Sequence, residues 1–242
     1  MQIFSKTDKG LKREFNEDSF ITGEFSENSC FAVVCDGMGG RNGGEIASKK
    51  AVEIIADSFK KSFSVNMKNS SIRYLLESAV TNANDAIFKE AQNDFALNGM
   101  GTTVIAAVVY NNYLYLAHAG DSRAYLLRNK NLYRLTVDHS VVQTMVDSGQ
   151  ITEEMAKSHP NKNIITRALG VDKNILIDLN ELCLQKNDVV LLCSDGLTNF
   201  VEESKIAEVL NKNKNENSLS ELIGLANAAG GGDNITVVTI II

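Results

Sequence analysis

Four aspartates stand where apolar, strand-like runs meet turn residues. Asp36 follows Phe31-Ala32-Val33-Val34-Cys35, Asp121 follows Leu114-Tyr115-Leu116-Ala117-His118-Ala119-Gly120, Asp195 follows Val189-Val190-Leu191-Leu192-Cys193-Ser194, and Asp233 precedes Ile235-Thr236-Val237-Val238-Thr239-Ile240. Each has Gly, Ser or Asn beside it, residue types that make turns. Strands ending at one rim would bring these carboxylates together, where like charges repel unless they are protonated or bridged by a cation. An all-oxygen donor set suits Mg²⁺ or Mn²⁺ rather than zinc. A single Asp-Gly is a turn far more often than a ligand. The inference therefore rests on the set, and independent turns remain the other reading.

Two further segments carry candidate chemistry. Asp36-Gly37-Met38-Gly39-Gly40 matches neither nucleotide-binding fingerprint. Its glycines either relieve a tight strand-to-helix turn or let backbone carbonyls approach a metal. Arg13 precedes Asn16-Glu17-Asp18. It is either half of a surface charge pair or a guanidinium whose planar fork holds two phosphate oxygens.

Cysteine and histidine chemistry is disfavoured. Cys35 and Arg41 have the C-x-x-x-x-x-R spacing of cysteine phosphatases, but Asp36 beside the thiol disfavours the thiolate that such a nucleophile needs. Cys30, Cys35, Cys183 and Cys193 contain no C-x-x-C pair, and Cys35 and Cys193 lie in apolar runs as small buried hydrophobes. His118, His139 and His159 lack ligand spacing.

The elements that must position these residues follow from periodicity. Residues 31–35 and 189–193 read as buried strands and 235–242 as the last strand. Helical spacing begins at Glu45 (Ala47, Ala51, Ile54, Ile55, Phe59) and recurs through Ile72, Leu75, Leu76, Ala79, Ala83 and Ile87. Residues 103–117 and 124–135 form two hairpins, turning at Asn111-Asn112 and at Arg128-Asn129-Lys130-Asn131, which predicts an antiparallel meander. Short helices are expected near 141–146 and 151–157, and longer ones over 202–210 and 219–228. The class is α+β; two packed sheets with helices outside are compatible with it.

The chain has 242 residues, a single proline and no Gly/Ser- or Pro-rich linker, so one domain is expected. A net charge of −6 argues against sequence-independent nucleic-acid binding, which needs a basic face. No apolar run approaches the ~18 residues of a membrane span, and the first residues have no signal-peptide core. A cytoplasmic protein with no membrane insertion is expected.

Taken together, six segments resemble the metal-dependent type 2C family of protein serine/threonine phosphatases in its compact bacterial form. They are Thr7-Asp8-Lys9-Gly10-Leu11-Lys12-Arg13-Glu14-Phe15-Asn16-Glu17-Asp18, Val34-Cys35-Asp36-Gly37-Met38-Gly39-Gly40, Met100-Gly101-Thr102-Thr103, His118-Ala119-Gly120-Asp121-Ser122-Arg123-Ala124-Tyr125, Cys193-Ser194-Asp195-Gly196-Leu197 and Gly232-Asp233-Asn234-Ile235-Thr236. They occur in the family's order and span nearly the whole chain.

The resemblance implies an αββα four-layer sandwich, two mainly antiparallel sheets flanked by helices, forming a single catalytic domain with a flap over 138–170. It implies two Mn²⁺ or Mg²⁺ ions per chain and a third, weaker one. Asp36 would bridge the two ions, Asp195 and Asp233 would hold the first, and the Gly37 carbonyl the second. Asp121 would share the third with Asp195. Glu17 and Asp18 would stand outside the ions, holding bound water, Asn234 would also lie outside them, and Arg13 would clamp phosphate.

The implied activity is hydrolysis of phosphoserine and phosphothreonine in proteins by a water bridging the two ions, with substrates made by a bacterial Ser/Thr protein kinase. One departure stands out. Many bacterial members carry His after Met-Gly-Gly and some carry it two residues after the bridging Asp; here those positions are Arg41 and Met38. No loop histidine is present to act as general acid. Two other readings accompany this one: a catalytically weak phosphoprotein-binding regulatory module, and a hydrolase of small phosphate esters.

Overall fold

The structure is a computed structural model that describes residues 1–39 and 43–242. In chain order its elements are β1 Gln2–Asp8, β2 Asp18–Ser26, β3 Ser29–Met38, α1 Gly43–Ser62, α2 Asn69–Asn93, β4 Gly101–Thr102, β5 Val104–Tyr110, β6 Tyr113–Ala119, β7 Arg123–Arg128 and β8 Asn131–Arg134. They continue with α3 Val141–Asp147, α4 Glu153–Lys157, β9 Asp178–Cys183, β10 Val189–Cys193, α5 Asp195–Thr198, α6 Glu203–Lys212, α7 Glu216–Ala228 and β11 Ile235–Ile241.

The strands form two antiparallel sheets. One has the order β1-β11-β10-β7-β8; the other runs β2-β3-β5-β6-β9, with β4 paired to β3. Side chains alternate between faces along a strand, and here both faces of the central strands are covered. From β3, Ala32 and Val34 point between the sheets, where they meet Ile105, Leu116, Leu126, Leu192 and Ile240. Val33 and Cys35 point outward, into a layer with Ala51, Ile55 and Phe59 of α1 and Leu76 and Ile87 of α2. On the far side Tyr125, Leu191 and Cys193 pack beneath Ile206 and Val209 of α6 and Leu219 and Leu222 of α7. The result is the four-layer sandwich. Burial on both faces explains why β3 and β10 read as continuous apolar runs rather than alternating ones.

The two hairpins turn where the asparagines stand. Asn111 and Asn112 have φ of 50° and 60°, and Asn129 and Lys130 have φ of 51° and 68°. These are the positive values that two-residue hairpin loops require. The expected meander is nevertheless broken. β5 and β6 pair in one sheet and β7 and β8 in the other, so residues 120–122 carry the chain from sheet to sheet. Asp121 lies in that crossover. β1, β2 and β9 carry mixed, half-exposed patterns as edge or near-edge strands, and the apolar periodicity does not reveal them.

Candidate active site

The carboxylates converge at one end of the sandwich. Asp18 begins β2 and Asp36 lies near the end of β3, and the antiparallel register sets them directly opposite each other. In the other sheet β10 runs into Ser194 and Asp195, the latter being the first residue of α5, while Asp233 lies two residues before the neighbouring β11. Asp121 arrives from the crossover between sheets. Asp195 is therefore a helix-start residue rather than the end of a strand, and Asp36 lies within β3 rather than after it.

Burial and crowding together make Asp36, Asp18, Asp121 and Asp195 weaker acids. The Asp36 carboxyl is held well above the usual carboxylate range by burial and then by Asp18, Asp195, Asp121 and Asp233. Burial, joined by Asp195 and Asp233 and opposed by hydroxyl hydrogen bonds, pushes Asp18 to about 7. Asp121 rises to about 8 through burial, Asp195 and Asp138. Asp195 rises to about 6 through burial and Asp233. Two buried oxygens, Asp18 Oδ1 and Asp195 Oδ1, have no hydrogen-bond partner among the described residues. Buried polar atoms in folded proteins are ordinarily paired. Orphaned acidic oxygens in a cluster of like charge are the donor set that a hard divalent cation satisfies.

Polar side chains the sequence reading did not single out hold this cluster in place. Ser194 Oγ donates to Asp18 Oδ2 at 2.7 Å and accepts from the Thr236 amide at 2.9 Å. Asn199 Nδ2 donates to Asp195 Oδ2 at 2.8 Å. The Asp36 backbone is gripped on both sides: its amide donates to Thr103 Oγ1 at 2.9 Å, and its carbonyl accepts from Thr102 Oγ1 at 2.9 Å. Thr103 Oγ1 also meets Ser122 Oγ, beside Asp121, at 2.8 Å. The Gly-Thr-Thr and Asp-Ser-Arg segments are thus supports for Asp36 and Asp121. Arg123 of the second segment donates from Nη2 to Asp138 Oδ2 at 2.7 Å.

The remaining expected residues also assemble here. Gly37 is required sterically, since a Cβ there would lie 2.1 Å from the Gly44 carbonyl oxygen. Gly10 has φ +75°, and a Cβ there would lie 2.1 Å from the Asp233 carbonyl oxygen, so the N-terminal loop can lie against Asp233 only through glycine. That loop delivers Arg13, whose Nη2 donates to Asp233 Oδ2 at 2.8 Å while the side chain stays 48% exposed. Glu17 faces the start of α1. Its carboxyl is shifted upward by burial, against Arg13 and together with Asp233 and Glu45.

Asn234 is tied to the N-terminal loop. Its side-chain oxygen accepts from the Glu17 amide at 2.8 Å, and its Nδ2 donates to the Lys9 and Phe15 carbonyls, each at 2.9 Å. Both polar atoms of its side chain are engaged with backbone, so it fixes the loop that carries Arg13 and Glu17. Met38 lies in β3; Arg41 falls outside the described residues. The Cys35 thiol is buried, and that burial, then Asp18 and Asp36, pushes it far up. A cysteine nucleophile is excluded by this environment more than by the neighbouring carboxylate alone.

Known proteins resemble this chain in sequence and in fold. The family model described as Protein phosphatase 2C matches residues 11–224. The serine/threonine phosphatase stp of Listeria monocytogenes is 40% identical over 239 residues, covering 97% of this chain and 93% of that protein. The crystal structure of Stp1 from Staphylococcus aureus has a TM-score of 0.94 at 34% identity, covering 100% of this chain and 94% of that one. The catalytic domain of the serine/threonine protein phosphatase PstP, solved in complex with 2 manganese ions, has a TM-score of 0.86 at 36% identity and covers 98% of this chain and 96% of that one. No helix among the described residues is long and apolar enough to cross a membrane. With a family model spanning most of its length and close serine/threonine phosphatase relatives, the chain belongs to the protein phosphatase 2C family.

Proposed function

We propose that this chain hydrolyses phosphoserine and phosphothreonine esters in proteins, using two Mn²⁺ or Mg²⁺ ions and a third, weaker one. The observation that carries the reading is the crowding of Asp36, Asp18, Asp195, Asp121 and Asp233 at one end of the sandwich, with orphaned buried oxygens on Asp18 and Asp195. Asp36 would hold both principal ions, Asp195 and Asp233 the first and the Gly37 carbonyl the second, with Asp121 serving the third. Bound ions would supply a nucleophilic water at neutral pH and charge neutralisation on the phosphoryl oxygens.

The chain's own residues do the rest. Asp18 and Glu17 stand around the ligands as additional acceptors, Glu17 being oriented by Asn234 through its backbone amide. Arg13 is the counter-ion of Asp233. With a cation held by Asp233, the exposed Arg13 guanidinium would be free to engage two phosphate oxygens of the substrate, for which its fork is suited. No loop histidine is present to donate a proton to the leaving alkoxide, so the proton would come from bound water or from another group at the site.

The same reading takes 1–242 as one catalytic domain with residues 138–170 as a flap beside the site. It has the protein in the cytoplasm, acting on phosphoproteins made by a bacterial Ser/Thr protein kinase. The test is phosphate release from phosphothreonine and phosphotyrosine peptides and from p-nitrophenyl phosphate, with Mn²⁺ and with EDTA. Mn²⁺-dependent turnover that favours the phosphothreonine peptide is expected, lost in Asp36→Asn and Asp195→Asn while circular dichroism is unchanged. Full activity in either variant or in EDTA contradicts the proposal. A preference for p-nitrophenyl phosphate alone would favour a small-ester hydrolase, and absence of all turnover a binding module.

A further inference from the structure

The residue that precedes Asp121 is the one least able to hold itself. Gly120 has φ +118°, and a Cβ there would lie 2.6 Å from the Thr103 side chain. Glycine is therefore required, and its loose backbone has to be fixed from outside. His139 does so twice. Its imidazole Nδ1 accepts from the buried Gly120 amide at 3.1 Å, and its own amide donates to the Gly120 carbonyl at 2.8 Å. That carbonyl belongs to the peptide bond that leads into Asp121.

The ring is held in the form that can accept. With Nδ1 receiving the Gly120 proton, the single proton of the neutral imidazole is on Nε2. It points to Asp178 Oδ2 at 3.1 Å, while Arg167 Nη1 donates to Asp178 Oδ1 at 2.8 Å, so the two donors share the carboxylate one oxygen each. Burial, against Asp178 and together with the Arg167 charge, lowers His139 below the ordinary imidazole value and keeps the ring neutral. The buried His118 lies against one face of it, with ring centroids 4.6 Å apart and planes 23° from parallel. The same residue gathers the chain behind it. The Thr166 amide donates to the His139 carbonyl at 2.7 Å, and Ser140 bridges Ile165. The two ends of residues 139–167 thus meet at the crossover that carries Asp121.

We propose that His139 is a positioning residue of the acidic centre: Nδ1 locks the Gly120 amide, and with it the angle at which Asp121 presents its carboxylate to the third, weaker ion. That role stands only if Asp121 serves this ion as proposed. His139 acts through two backbone bonds rather than as a ligand. Asp178 acts one step further out, by keeping the ring proton on Nε2 so that Nδ1 stays an acceptor. Asp36, Asp195 and Asp233 are carried by other elements, so loosening the crossover leaves the first two ions in place.

The first readout needs neither metal nor turnover. Amide hydrogen exchange at Gly120, followed by ¹⁵N NMR in EDTA, should be slow in the wild type and in His139→Asn, whose side-chain oxygen can stand near the place of Nδ1. It should be roughly 10-fold faster in His139→Gln, the loss of one hydrogen bond, because the longer side chain reaches Asp178 instead. Asp178→Ala, at a half-exposed position, should also quicken it and reads the same bond in a variant whose buried residues are untouched. The second readout is calorimetric titration with Mn²⁺. His139→Gln should weaken the third ion by about 10-fold and leave the first two at wild-type affinity, with His139→Asn close to wild type and Asp121→Ala lacking the third ion. Gly120 exchange as slow in His139→Gln as in wild type, or a third ion that His139→Asn fails to restore, overturns the positioning role. So does a wild-type third-ion affinity in His139→Gln when Asp121→Ala lacks that ion. A third ion that survives Asp121→Ala overturns the assignment of Asp121 instead. An exchange rate unchanged in Asp178→Ala overturns its hold on the tautomer.

Discussion

In the metal-free protein the acidic centre opposes folding, and Asp18→Asn tests this. The Asp18 carboxyl rises from 3.8 to about 7 because it is buried and faces Asp195 and Asp233. A shift of that size corresponds to roughly 4 kcal/mol of folded-state penalty once the group is ionised. Protons are shared across the cluster, so part of that energy is counted again in the shifts of its neighbours. Removing one charge therefore returns about 2 kcal/mol, half the nominal figure. For a chain of this length that raises Tm by roughly 4–8 °C.

The sign follows from linkage. Below 3.8 the carboxyl is protonated in both folded and unfolded chains and carries no penalty; the native state loses stability as pH rises from 3.8 to about 7. Asparagine keeps the acceptor for Ser194 Oγ and carries no charge at any pH. Melting followed by circular dichroism in EDTA should show Asp18→Asn level with wild type near pH 4 and higher near pH 8. With Mn²⁺ at pH 8 the wild type should gain more than the variant, because the ion binds the native cluster. A variant that melts lower than wild type at pH 8 in EDTA, or whose gain is the same at both pH values, refutes the reasoning.

Other outcomes follow from the same geometry. Arg13→Ala should lower kcat/KM for a phosphothreonine peptide by about 10–100-fold, the loss of charge-assisted hydrogen bonds to phosphate, with Mn²⁺ affinity measured by calorimetry little changed; wild-type kcat/KM would remove Arg13 from the phosphate site. Asp121→Ala should slow turnover while calorimetry still detects two bound ions, and loss of all bound metal would contradict its assignment to the third. Arg128→Ala should destabilise the fold by about 3 kcal/mol in urea melts without lowering the specific activity of folded protein. It strips the 2%-exposed Asp188 of a partner that donates from Nε at 3.0 Å and Nη2 at 2.6 Å. An unchanged urea midpoint would mean that water replaces the guanidinium.

Much of the site could be read locally because its ligands sit at the ends of strongly apolar strands. Asp36, Asp195 and Asp233 each adjoin a run that is buried in the sandwich, and a carboxylate at the end of such a run has few places to go. The supports were less legible. Ser194, Asn199, Thr102, Thr103 and Ser122 are small polar residues with many bland uses, and only their partners distinguish them. Asn234 was legible as a site residue, but its three backbone partners are separated from it by more than two hundred positions along the chain.

The sequence by itself determined the α+β class, the hairpins at Asn111-Asn112 and Asn129-Lys130, the helical faces and the set of acidic residues, because these follow from short-range periodicity and turn chemistry. Tertiary structure decided three things. It broke the expected meander at residues 120–122, because two apolar faces must cover each other and β7 pairs with β10 rather than β6. It brought edge strands with mixed patterns into register, setting Asp18 against Asp36. It also stacked His118 on His139 and set Asp178 beside them. Their spacing along the chain does not reveal that arrangement, since strand pairing and a returning loop, not sequence distance, make them neighbours.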